Sequence, residues 1–397
     1  MSGSKADVII IGGGLMGAAT AFFLRRRGLS VILLERGLVG QQASGVNFGN
    51  VRRQGRYLPQ LPLAHRSRDL WGRLPELIGE DVEFLVTGHL CVGYRDADMA
   101  ALEAYRDAAR DYDLDLELLG KNALRERFDY LGNEALIGSF SPMDGHANPR
   151  LAAPAFARAA ARAGARIVEN AEVLEIDKIG EDFTVETIGG ARYCAPVLQI
   201  SAGAWGARLA ARFGEDVPMK AMGPQMAVTE PVPYAIEPVL SVTTADPLEG
   251  IYLRQIPRGN VIFGGCMRES VDLDTIRARV KPDNTLHQLG QLRRFVPATD
   301  QLRVIRVWSG IEGYMDDQIP VMGYSAKVSG LFYAFGFCGH GFQLGPAVGD
   351  VMAELIATGR TTTPIDPFSI ARFAPEAHRQ VGQATLAPRA DQAFHEQ

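Results

Sequence analysis

The chain has 397 residues, more than one hydrophobic core ordinarily serves, so about two domains are expected. Hydrophobic residues at 47% and charged residues at 22% exclude a disordered or fibrous chain, and a net charge of −5 gives no electrostatic reason to bind nucleic acid or anionic lipid. Cys91, Cys194, Cys266 and Cys338 lie far apart with no C-x-x-C pair, which argues against a disulfide framework or a metal site. No cleavable leader is read at the start, and no apolar run approaches the roughly 18–20 residues of a membrane span. A cytoplasmic location is therefore expected, with docking to the inner face of a membrane left open.

In chain order, residues 7–11 form a short apolar run rich in β-branched residues, Asp7 aside, as in a parallel strand buried on both faces. Gly12-Gly13-Gly14-Leu15-Met16-Gly17 follows, then an alanine-rich helical pattern that stops at Gly28. Residues 30–34 form a second buried strand ending in Glu35, 18 residues beyond Gly17. Each part has a physical role. Gly12 permits the tight turn, Gly14 lets backbone approach a pyrophosphate, and Gly17 brings helix and strand together. The helix start at Leu15 and Met16 offers N–H donors, and Glu35 accepts from the adenosine ribose hydroxyls. That acid disfavours NADP but does not separate FAD from NAD.

Further along, residues 88–93 read as a strand, 98–112 as an amphipathic helix, and 149–163 as a helix ended by Gly164. Residues 197–200 form an apolar strand entering Ser201-Ala202-Gly203-Ala204-Trp205, small residues that allow a flat cofactor close approach. Between about 218 and 320 strand patterns dominate, at 225–229, 250–255, 261–264 and 302–310. An apolar strand from Leu331 then leads through Gly336-Phe337-Cys338-Gly339-His340-Gly341-Phe342 into a helix expected over 346–357, whose start would favour an anionic, reduced flavin ring. The tail after about residue 367 is expected to hug the surface or fray.

The opening motif, Ala202-Gly203-Ala204-Trp205 and Gly339-His340-Gly341-Phe342 together resemble the D-amino acid oxidase-like family, over residues 7 to about 356. That family includes glycine oxidase, sarcosine oxidase and the flavin subunits of opine and hydroxyproline dehydrogenases. The resemblance implies an α/β fold: a Rossmann-like FAD-binding domain from residues 1–84, 146–217 and 321–375, and an inserted, mostly antiparallel β-sheet (α+β) substrate domain from 85–145 and 218–320. Residues 376–397 would be a C-terminal tail. It also implies FAD held by Gly12, Gly14, Leu15, Met16, Gly17, Glu35 and Arg36, by Ala43, Ser44, Asn47, Gly49 and Asn50 in the loop along the cofactor, and by Val173, Ala202, Gly203, Trp205, Gly310, Gly339, His340, Gly341, Phe342 and Gln343.

For the substrate, Tyr252 and Arg254 alternate on one strand face, where Arg254 would bind a carboxylate and Tyr252 would bound the pocket. The same pattern also fits a sheet face turned to water. Arg52, Arg53 and Arg56 share the loop after the flavin-contacting segment, and Arg52 or Arg53 is expected to act on substrate. His340 is assigned to cofactor binding, Asp317 to a structural turn, and no general base is assigned. Three departures from the family bear on function. Glu312 stands where glycine oxidase-like members carry a carboxylate-binding arginine. Gln343 replaces a lysine of monomeric sarcosine oxidase, and residues 261–264 lack its oxygen-activating lysine. The flavin-tethering cysteine and histidine positions fall near Gly310 and Pro149, so the FAD is expected to be non-covalent.

The expected reaction is oxidation of the C–N bond of an amino acid or secondary amino acid by hydride transfer to flavin N5, giving an imine that hydrolyses. A dehydrogenase is favoured over an oxidase, with a quinone, a partner subunit or O2 as electron acceptor. The Trp308-Ser309-Gly310-Ile311-Glu312 pattern looks most like flavin subunits that work with smaller partner subunits. The alternatives are an FAD-dependent 2-hydroxy acid dehydrogenase, an NAD-dependent enzyme, and a flavin-bearing subunit inactive alone.

Overall fold

The computed structural model describes residues 4–374; the expectation for the tail at 376–397 lies outside them. Val8–Ile11, with all four residues buried, is flanked by parallel strands Val31–Leu34 and Val197–Ile200. Burial on both faces is what its unbroken apolar sequence requires. Arg166–Val168 extends this sheet at one edge and Leu331–Phe335 at the other, both in parallel. Val321–Tyr324 closes the six-stranded order as the one antiparallel member. Helices Leu15–Arg26, Pro149–Arg162 and Gly341–Thr358 pack together through small residues, with Phe22, Phe23 and Phe156 filling the core between them.

A nine-stranded sheet draws its strands from residues 89–141 and 219–315. Its order begins Val304–Ser309, Met219–Pro231, Asn260–Ser270, Ile251–Gln255 and Val239–Val242, and continues to His89–Gly93, Ile137–Ser141 and Glu117–Gly120. Glu312–Met315 pairs beside Met219–Pro231. The pairing is antiparallel except between Val239–Val242 and His89–Gly93. Helix Pro282–Phe295, which the residue pattern does not announce, covers one face through Leu292 and Phe295. A four-stranded sheet, Ser4–Lys5 with Arg192–Ala195, Asp182–Thr187 and Val173–Ile179, completes the α/β architecture with Asn50–Val51 and Gly145–His146 as a short ribbon.

Several boundaries move for identifiable reasons. The helix expected at 98–112 runs Asp96–Ala108 and then tightens into a 3-10 turn, because the Asp98 carboxylate accepts from the Tyr94 and Arg95 amides and sets the start earlier. The strand expected to stop at Gly264 continues to Ser270, since Gly265 (φ +131°) forms a bend and pairing resumes beyond it. The last helix begins at Gly341 rather than Pro346. Burial of Phe342 and Leu344 holds its first turn, and Pro346 is accommodated inside at the loss of one ladder hydrogen bond.

Candidate active site

The C-terminal ends of the parallel strands, at Ile11, Leu34, Ser201 and Phe335, open onto a cavity of about 840 Å³ whose far wall belongs to the large sheet. Crevices at strand C-termini are where doubly wound sheets bind ligands, and the volume falls within the roughly 300–1,000 Å³ of such sites.

At the nucleotide end, Gly12 sits at φ +108°, where a Cβ would lie 2.4 Å from the Ser201 carbonyl oxygen. A Cβ on Gly17 would lie 2.0 Å from the Gly12 oxygen, so this glycine serves helix–strand contact and does not itself line the cavity. Glu35 is held by the Gly13 amide at 2.6 Å and the Gly37 amide at 2.8 Å, with its carboxylate at the cavity wall. The Ser44 hydroxyl accepts from the Leu15 amide at 2.8 Å, and Asn47 bridges the Ala43 carbonyl and the Gly49 amide. Arg36 stacks over the Trp205 ring at 4.2 Å beside Val173, Ala202 and Gly203.

Two helix N-termini reach this cavity, at Leu15–Met16 and at Gly341–Phe342; neither is capped by the side chain of its own N-cap residue and neither has an acid in its first turn. Asn50, also in the lining, carries a buried Oδ1 with no hydrogen-bond partner. A long ligand with a diphosphate and a polar ring satisfies these features, so the residues present fit FAD.

At the other end, Arg52 and Arg56 line the cavity beside Tyr105 and His89. Arg56 donates to the Arg52 carbonyl at 2.8 Å and the His340 carbonyl at 3.3 Å, and burial lowers its pKa to about 9. Arg52 donates to the Gln54 carbonyl, and neither arginine forms an ion pair among the described residues. Across the Gly339–His340 turn stand Tyr252, Arg268, Glu312 and Tyr314. The Tyr314 hydroxyl donates to Glu312 Oε2 at 2.6 Å, and the Arg268 guanidinium lies 4.7 Å from the Tyr314 ring centre. Burial raises the Glu312 pKa against the opposing pull of the Tyr314 hydrogen bond and Arg268, and pushes Tyr252 up to about 12. Burial also pushes the thiols of Cys266 and Cys338 up to about 12, which keeps both protonated near neutrality.

Four other expected site residues stand outside the lining. Arg254 shares the strand face of Tyr252, as alternation requires, and both contact the Phe48 ring. However, its guanidinium donates to the Phe48 carbonyl at 2.7 Å and to His146 Nδ1 at 2.9 Å, behind the loop and away from the cavity. Arg53 pairs with the buried Asp144 at 3.2 Å and with His65, anchoring the loop from within. Gln343 donates to the Ala64 carbonyl, joining two helices. Gly310 packs on Val46, and its neighbour Ile311 takes the place in the lining.

Arg268 and Tyr314 were missed as site residues. Carrying the strand through the Gly264-Gly265 bend would have brought Arg268 into the pairing opposite Pro224, and period two from Glu312 reaches Tyr314.

The sequence profile of the family described as FAD dependent oxidoreductase (DAO) matches residues 7–355. The chain is 31% identical over 380 residues to glycine oxidase of Geobacillus kaustophilus, covering 93% of this chain and 97% of that protein. It is 27% identical over 386 residues to one of the subunits of opine oxidase from Rhizobium meliloti, covering 93% and 98%. Among solved structures, L-proline dehydrogenase of P. horikoshii superposes with a TM-score of 0.87 at 25% identity, covering 94% and 98% of the two chains. The Geobacillus glycine oxidase structure gives 0.86 at 26%, covering 93% and 99%. The chain belongs to this family of FAD-dependent oxidoreductases and is an enzyme with FAD as its cofactor.

Proposed function

We propose that the enzyme oxidises the C–N bond of an amino acid, preferring N-substituted (secondary) amino acids, and delivers the electrons to an acceptor other than O2. One observation carries this reading: beyond the cofactor segments, guanidinium groups of Arg52, Arg56 and Arg268 share one cavity with a single carboxylate, Glu312, and the neighbouring Tyr252 and Tyr314. An amino acid offers an anion for the first set and a nitrogen for the second. The similar proteins named for glycine oxidase, opine oxidase and L-proline dehydrogenase activities support the same bond as target. In this reading residues 85–145 and 218–320 form the substrate domain, set against an FAD domain of 1–84, 146–217 and 321–375.

Bound FAD supplies the acceptor for a hydride and is taken here as non-covalent. The chain's own work is to fix the carboxylate with arginine, to hold the α-carbon against the cofactor with Tyr252 and Met226, and to exclude water. His340 stays with the cofactor segments. A dehydrogenase accords with a described cavity lining that has no lysine and with Gln343 turned into the protein. The likeness to one chain of a multisubunit opine oxidase favours a smaller partner chain as a second element of the reading.

The test is anaerobic bleaching of the purified yellow protein with primary amino acids, N-alkyl amino acids, opines and 2-hydroxy acids. Secondary amino acids should reduce the flavin fastest; reduction by hydroxy acids alone would replace this reading with its alternative. Arg268→Met should weaken substrate binding by about 2–3 kcal/mol, roughly 30- to 150-fold in KM, with FAD content retained.

A further inference from the structure

We propose that Glu312 is the group that binds the substrate nitrogen and takes its proton before the α-C–H bond breaks. The proposal rests on the amino-acid reading above and assigns a catalytic residue within it.

Three acids line the cavity, and two are engaged elsewhere. Glu35 holds the Gly13 and Gly37 amides, and Glu172 faces Arg36 at 3.9 Å, both at the nucleotide end. Glu312 alone stands at the turn bearing Gly339 and His340, where a Cβ on Gly339 would lie 3.7 Å from Glu312 Oε2 and 3.6 Å from the Tyr314 hydroxyl. Tyr314 engages Oε2 and so aims the carboxylate, while Oε1 carries the remaining acceptor capacity.

The groups facing Glu312 are Tyr314 on its own strand, Arg268 from Asn260–Ser270, Tyr252 from Ile251–Gln255, and Cys338 and His340 from the turn. Burial raises the pKa of this carboxylate above the usual range, while the Tyr314 hydrogen bond and Arg268 pull towards the ionised form. Both properties suit a proton acceptor for an ammonium. Arginine supplies the anion contact and glutamate the cation contact, so the pocket is complementary to a zwitterion.

The step balances. The substrate ammonium gives one proton to Glu312, which becomes a neutral acid, and the nitrogen regains its lone pair. That pair forms the C=N bond as the α-C–H electron pair leaves as hydride, for which bound FAD is the acceptor. Water then adds to the carbon of the resulting iminium and supplies the carbonyl oxygen, both of its protons leave on the departing nitrogen as an ammonium, and Glu312 releases its proton to solvent.

The experiment uses the holoenzyme with Glu312→Gln and Glu312→Asp, each checked for FAD content. Two unreactive probes are titrated by flavin absorbance: 2-aminoisobutyrate, which has a cationic nitrogen but no hydrogen on the carbon that bears it, and isobutyrate, which has no nitrogen. Glu312→Gln should lose at least about tenfold affinity for the first and keep the second within about twofold, and Glu312→Asp should recover part of the loss. In parallel, anaerobic reduction of the wild-type flavin by a secondary amino acid should show an acid limb that vanishes in Glu312→Gln. Equal weakening of both probes, unchanged binding of the amine probe, or an acid limb that survives in Glu312→Gln overturns the proposal. Failure of every amino acid to reduce the wild-type flavin is a different result; it removes the amino-acid reading and this assignment with it.

Discussion

Arg254 and Arg268 lie on neighbouring strands and are both arginines, yet only one guanidinium reaches the cavity. Alternation in Ile251–Gln255 gave the correct face for Tyr252 and Arg254 but not the depth at which a loop crosses that face. Phe48 lies between Arg254 and the cavity side, and its carbonyl captures the guanidinium. Arg254→Met should therefore leave KM near the wild-type value while destabilising the fold by roughly 2–3 kcal/mol, read from urea unfolding of the holoenzyme. A large rise in KM with stability intact would return Arg254 to the substrate site. Tyr314 gives a second prediction at this scale. Its hydroxyl hydrogen bond favours the ionised form of Glu312, so Tyr314→Phe removes an interaction that lowers the carboxyl pKa. The acid limb of flavin reduction should then move to higher pH, and movement to lower pH would contradict the geometry.

Among elements, the helices Leu15–Arg26 and Gly341–Thr358 depend on how closely their backbones approach. A Cβ added at Gly349 would meet the Ala19 Cβ at 2.4 Å and its backbone carbonyl carbon at 2.6 Å, so a rigid neighbour would have to move. Gly349→Ala should cost about 1–3 kcal/mol through overpacking. Because both helix N-termini face the cofactor cavity, the FAD dissociation constant should rise as well, measurable by equilibrium dialysis. The first helix was legible because strand, glycine turn, helix and terminal acid are local in sequence. The start of the second was not, since Pro346 resembles a first-turn residue and the burial holding Gly341 to Gly345 comes from Leu15, Met16 and Phe337, two of them distant in the chain. Helix Pro282–Phe295 was hidden for a related reason: only Asn284, Gln288, Leu292 and Phe295 are buried, two of them polar, so little apolar periodicity marks it.

Over the whole molecule, residues from the first helix turn, from Ser201 to Trp205 and from Ala334 to Phe342 reach one cavity, and the glycines and small residues in those stretches made that convergence readable. The loop from Phe48 to Arg56 was legible only as a run of arginines, because its fixings are side chains contributed by distant strands. His146 accepts from Arg254, and His89 Nδ1 accepts from Gln54 at 2.7 Å, both buried and both tying the loop or its backing to the large sheet. Burial, reinforced by Arg254, pushes the His146 pKa down to about 3, and burial with Arg52 holds His89 well below the usual imidazole range. A base whose folded pKa is depressed binds fewer protons folded than unfolded, so its contribution to stability is complete above the unfolded value near 6.5 and is lost as pH falls below it. Each histidine should remove up to about 1.4 kcal/mol per pH unit on that descent, His146 continuing towards about pH 3. The melting temperature of the holoenzyme should consequently fall between about pH 6.5 and 5. His146→Gln should flatten the slope by close to the share of one group, because a neutral acceptor for Arg254 remains without a proton to take up. A slope unchanged in that variant would mean that the imidazole is already charged in the folded protein, and that the loop bearing Asn50, Arg52 and Arg56 is fastened by something other than a neutral histidine.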